Sequence, residues 1–94
     1  MEEKFISAWE QARKTAESLG VRMRPVERNK ALETARRVLS GSRDSEGFGQ
    51  LQRLGRLDLS LEALAVKKAY TALFSDDEVN QALMRLLDAG YQFR

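Results

Sequence analysis

The side chains in this sequence best placed to do chemistry are cations. Arg22, Arg24, Arg28, Lys30, Arg36, Arg37 and Arg43 crowd one stretch in which only Glu27 and Glu33 oppose them. Clustered guanidinium and ammonium groups neutralise phosphates and release their counterions, which is the sequence-independent part of nucleic-acid binding. The imbalance extends beyond that stretch: residues 1–43 hold ten Lys or Arg against six acids, and residues 44–94 hold six against eight. Ordinary surface helices also carry Lys and Arg, both for solubility and to cover apolar surface with their stems, and a net charge of +2 is common for one domain. Nor do the cations share one stripe: Arg28 falls toward the apolar arc of its segment, whereas Lys30 and Arg37 fall opposite it.

Other chemistry is excluded or weakly supported. The chain has no Cys and no His, so it offers no disulfide, no thiolate nucleophile, no Ser-His or Cys-His arrangement and none of the usual zinc, haem or iron–sulfur ligand sets. The carboxylate pairs Glu2-Glu3 and Asp76-Asp77 are sequence neighbours that diverge on a helix, so they read as partners of a helix dipole rather than as an acid–base dyad. Gly47-Phe48-Gly49 lacks the lysine of a phosphate loop and reads as a turn. No catalytic residue, cofactor site or metal site is expected, and the chain reads as a non-enzyme.

The elements that must position these residues are helices. Apolar residues make up 43% and charged residues 32% of 94 residues, enough to fold around one modest core. Leu, Ala, Glu, Arg and Lys dominate, β-branched residues are scarce, and Pro25 is the only proline. The composition predicts an all-α domain, a small compact bundle of four to five helices spanning residues 1–94.

Steps of three and four place Phe5, Ala8, Trp9, Ala12, Ala16 and Leu19 on one face of a helix over 2–19, with Gly20 as its left-handed stop and Trp9 in the core. Pro25 suits the first turn of a second helix over 25–40, whose inner face is Ala31, Leu32, Ala35, Val38 and Leu39. Polar, glycine-rich 41–47 reads as a flexible loop. A weak third helix is expected over 48–56, since Gly49 and Gly55, with Gly47 at its edge, each cost roughly 1 kcal/mol relative to Ala inside a helix. Asp58 or Ser60 can cap a fourth over 60–73, with Leu61, Leu64, Ala65, Ala69, Ala72 and Leu73 inward; Val66 and Tyr70 widen its apolar surface, so it must be central in the bundle or face another subunit, and central packing is expected.

The last helix, 76–89, is the most fully written. Ser75 and Glu78 form a capping box, Phe74 can pack on Val79 from outside the first turn, and Gly90 stops the helix. Val79, Ala82, Leu83, Leu86 and Leu87 are expected to face inward, with Met84 at an edge. The run from Phe74 to Tyr91 resembles a repeat unit of RecX-type recombination regulators, in which a turn, an acidic helix start and an apolar helix ending near Gly-Tyr recur. The resemblance implies a small helical regulator and carries no functional residues; no second copy of the pattern occurs in these 94 residues. Leu59 to Ala65 superficially matches the first helix of a helix-turn-helix. The helix that follows, however, opens on Asp76, Asp77 and Glu78, which phosphate would repel.

The start of the chain lacks a signal-peptide pattern, and no run approaches the ~20 apolar residues of a membrane span, so a cytoplasmic protein is expected. The sequence therefore points to a non-catalytic protein-interaction or regulatory module, working with a protein partner or by self-association, with Tyr91 and Phe93 as its protein-binding aromatics. Nucleic-acid binding through Arg22, Arg24, Arg28, Lys30, Arg36 and Arg37 is the alternative.

Overall fold

The architecture follows from where each helix is allowed to stop. The computed structural model describes residues 2–23 and 25–91. It contains α1 (Glu2–Ser18), α2 (Ala31–Ser40), α3 (Phe48–Arg53), α4 (Leu61–Ala65) and α5 (Asp76–Asp88), with short 3-10 turns at Leu57–Leu59 and Thr71–Leu73. There is no strand among the described residues, and the chain is a small all-α bundle.

α1 ends as its sequence predicts. Gly20 takes a φ of 90°, its N–H donates to Glu17 O at 3.0 Å, and the Val21 N–H donates to Ala16 O at 2.9 Å, leaving Val21 buried. Gly55 repeats this geometry after α3, with a φ of 70° and the Arg56 N–H reaching Leu51 O at 2.8 Å. Gly55 therefore terminates α3 at Arg53, short of the expected residue 56. Gly47 precedes the helix, so Gly49 is the only glycine inside it.

α2 begins at Ala31, not at Pro25. Continued back to Pro25, the helix would carry Arg28 onto the face of Ala31 and Ala35, both buried, and an interior guanidinium without a partner is costly. The chain instead makes a turn closed by the Lys30 N–H on Glu27 O at 3.0 Å, and Arg28 pairs with Glu10 of α1 at the surface. Before that turn, buried Val21, exposed Arg22 and half-buried Met23 alternate as in an extended segment.

α4 is shorter than its periodicity suggests, and all five of its residues are buried. Ser60 caps it, its hydroxyl accepting from the Ala63 N–H at 3.1 Å while donating to Leu57 O at 2.7 Å. A helix enclosed on every side cannot extend through Lys67 and Lys68, which are exposed; the chain turns there, and Ala69 and Ala72, expected inward, stand in solvent. It returns with Tyr70 and Phe74, whose rings meet Phe5 edge-on at centroid distances of 5.5 and 5.3 Å. Trp9 lies half-buried at the margin of this group, tilted 42° on Phe5 at 5.8 Å. Such aromatic pairs contribute roughly 0.5–1.5 kcal/mol each beyond the area they bury.

α4 packs on α5, and α2 packs on α5 from another side. Both halves of the capping box at the start of α5 are formed: the Glu78 N–H donates to Ser75 Oγ at 3.1 Å, and the Ser75 N–H donates to Glu78 Oε1 at 2.8 Å.

Candidate functional site

Two features were candidates from the sequence, and the structure treats them differently. Arg28 and Arg36 lie together, lining a shallow depression of about 310 Å³, but Glu2 and Glu33 line it with them. Both arginines are also engaged. Arg28 is paired with Glu10, and Arg36 donates through Nε and Nη2 to Leu73 O at 3.0 and 2.7 Å, closing the end of the second 3-10 turn. Arg22, Lys30 and Arg37 are exposed; on α2 the carboxylate of Glu33 stands between the sector of Arg36 and that of Arg37 and Lys30. Arg24 lies outside the described residues. Of the two aromatics, Tyr91 is half-buried against the core, its N–H donating to Leu86 O at 2.9 Å, and Phe93 lies outside the described residues.

Helical periodicity passes over a buried polar cluster. Glu62, in the middle of α4, is fully buried. Its carboxylate accepts from the Ser45 N–H at 2.9 Å, from the Ser45 hydroxyl and from Arg85 Nη1 at 3.3 Å. The Arg85 side chain, 9% exposed, also donates to the carbonyls of Val38, Leu39 and Gly41 at the end of α2, and Asp44 Oδ1 lies 4.0 Å from its Nε. One guanidinium thus closes the C-terminus of α2, ties the 41–45 segment to the bundle and neutralises the carboxylate of α4. The signal for it was a charged residue flanked by apolar ones in Leu61-Glu62-Ala63-Leu64, and an arginine three residues after Ala82 and four before Ala89.

This cluster decides how α5 sits. Turning Arg85 inward centres the buried face on Ala82 and Leu86, both fully buried, at one edge of the apolar stripe the periodicity defines. Leu87, expected inside, is displaced to 55% exposure, and Met84 stands at 59%. With half-buried Leu83 they form one contiguous outer strip joined through Leu87, which lies four residues from Leu83 and three from Met84, the spacings that adjoin on a helix. Asp76 and Asp77 lie at one end of the strip, Asp88 at the other, and Asn80 and Gln81 beside it, all exposed.

At the far end of α5, an open depression of about 630 Å³ lies between Gln52, Gly55 and Leu57 on one side and Ala89 to Tyr91 on the other. Its charged groups answer each other. Arg56 donates to Asp58 at 3.0 and 3.2 Å, and this hydrogen bond, with the charge of Asp58, raises the guanidinium pKa above its ordinary value.

No protein-family model matches this chain, and no curated protein and no solved structure is significantly similar to it. No helix among the described residues is long and apolar enough to cross a membrane.

Proposed function

We propose that this chain is a non-catalytic protein-interaction module whose binding surface is the outer face of α5. The observation that carries this reading is the strip Leu83-Met84-Leu87. Two of its side chains are more than half in water, on a helix whose rotation is fixed from inside by Arg85 and Glu62. Covering the exposed parts of Met84 and Leu87 would contribute on the order of 1 kcal/mol each. An apolar strip rimmed by polar residues is the pattern of a protein contact surface. Tyr91, packed on the core, supports the neighbouring end of α5 rather than offering a free anchor. The cations of the α2 region favour nucleic acid less, because Arg28 and Arg36 are already committed and acids are interspersed among them.

The test is a photo-crosslinking amino acid at position 84, with position 37 as the control, in living cells that express the chain. A discrete crosslinked product from position 84 and none from position 37 is the expected result. Crosslinking from 37 alone, together with salt-sensitive duplex binding that falls when Arg36 and Arg37 become Glu, would transfer the function to nucleic acid.

A further inference from the structure

Resting on that reading, we propose that the partner of α5 is an amphipathic helix whose apolar stripe is flanked at both ends by Lys or Arg. The argument is one of charge and shape. Asp76 and Asp88 bracket the strip and, at 1.5 Å per residue, stand roughly 18 Å apart along the helix. That length accommodates about three turns of a partner helix laid alongside. Every exposed charge on α5 is negative: Asp76, Asp77 and Asp88 are exposed, Glu78 is half-buried, and its one cation, Arg85, is turned into the bundle. The Glu78 carboxylate is engaged by the Ser75 N–H, so the aspartates set the sign of the rim. The half-charge of the helix N-terminus offsets only part of the Asp76 and Asp77 charge, and the C-terminal dipole adds to that of Asp88.

The same rim disfavours other occupants. A second copy paired through α5 would place Asp76 and Asp77 against Asp88 at both ends if antiparallel, and against their own counterparts if parallel. Both arrangements set like charges face to face, which selects against self-pairing. Docking α5 of one copy on the basic α2 of another supplies charge but little apolar contact, since Leu32 and Val38 of α2 are half-buried. The exposed large apolar residues among those described are Leu19, Leu54, Met84 and Leu87, and none lies on α2. Phosphate backbones and anionic lipid surfaces meet the aspartates with the wrong sign.

The experiment uses the full chain and three labelled 14-residue peptides. One has a leucine stripe with lysine flanks, one the same stripe with glutamate flanks, and one the lysine composition with the stripe scrambled. Fluorescence anisotropy measures affinity, and amide chemical shifts map the contact. The lysine-flanked peptide is expected to bind at least tenfold tighter than the other two, to weaken as salt rises and to shift the amides of residues 80–88. Asp76→Asn/Asp77→Asn/Asp88→Asn should bring the two stripe peptides within about twofold of each other, and Met84→Lys/Leu87→Lys should abolish binding by both, with an unchanged far-ultraviolet spectrum.

Equal affinity for both stripe peptides, shifts confined to other residues, or a dimer in sedimentation that Leu87→Lys dissolves would each overturn the inference. If no peptide binds while position 84 still crosslinks in cells, the basic helix is wrong and the surface stands. If both fail, the surface falls with it.

Discussion

The two faces of α5 divide their residues against polarity: the inner one holds a guanidinium, and the outer one holds a leucine and a methionine. On α1 the division is closer to convention, with Phe5, Ile6, Ala12 and Ala16 buried and no charged residue fully buried. The difference lies in what each helix must satisfy. No buried ion pair anchors α1 among the described residues, so its stripe can settle where burial is greatest. α5 faces a carboxylate that α4 carries into the interior, and an unpaired buried charge, at about 3–5 kcal/mol, outweighs the burial of one leucine, at about 1.5–3 kcal/mol. The ion pair therefore fixes the rotation of α5, and the apolar residues it displaces become the exposed strip.

The largest effect should come from removing one partner of the pair. Arg85→Ala strands the Glu62 carboxylate in the interior and frees three carbonyls at the end of α2, and it should cost about 3–5 kcal/mol of unfolding free energy in urea titration. A loss below 1 kcal/mol would mean that the pair does not hold α5. Replacing both partners, Glu62→Leu/Arg85→Leu, should restore most of that loss, because a buried pair exchanged for packed apolar groups is often neutral or better. It should also release the rotation. Since the chain has no native cysteine, Leu87→Cys reports this cleanly: maleimide labelling should be fast in the parent and slower in the double-leucine background. Equal rates would show that something other than the pair turns α5.

Next in size is the contrast between adjacent leucines. Leu86 is fully buried, and Leu86→Ala should cost about 2–5 kcal/mol by leaving a cavity. The cap is smaller again: Ser75→Ala removes the acceptor for the Glu78 N–H and should lower stability by about 1 kcal/mol. A shift in denaturant midpoint with unchanged slope would confirm that both changes lower stability without altering the surface exposed on unfolding.

How far the sequence could reveal these faces depends on which forces are local. The all-α class, the glycine stop of α1 and the capping box of α5 were legible, because each is decided within a few residues by backbone hydrogen bonds and φ. The start of α2 was not, although Arg28 on the apolar arc was itself the warning that a helix could not run through it. Gly55 reads as part of α3 because a glycine within a weak pattern and a glycine just beyond it differ only in where the chain turns. The rotation of α5 was hidden more deeply. It depends on Glu62 and Arg85, 23 positions apart, and periodicity weighs each helix by the polarity of its own residues, which places Leu87 in the core and Arg85 outside it. Of the candidate surface, Met84 was visible as an edge residue, while the exposure of Leu87 required the pair.

The smallest expected effect is the most informative about function. Leu87 is 55% exposed, so Leu87→Gln removes little buried apolar area and should change stability by no more than about 0.5 kcal/mol, as surface substitutions generally do. The same change places an amide in the centre of the outer strip and should abolish the crosslink formed from position 84. A neutral effect on folding with loss of the crosslink separates this leucine from its neighbour Leu86, whose removal weakens both. If Leu87→Gln instead cost 2 kcal/mol or more, Leu87 would be packed in solution. The outer face of α5 would then be part of the fold rather than a surface for a partner.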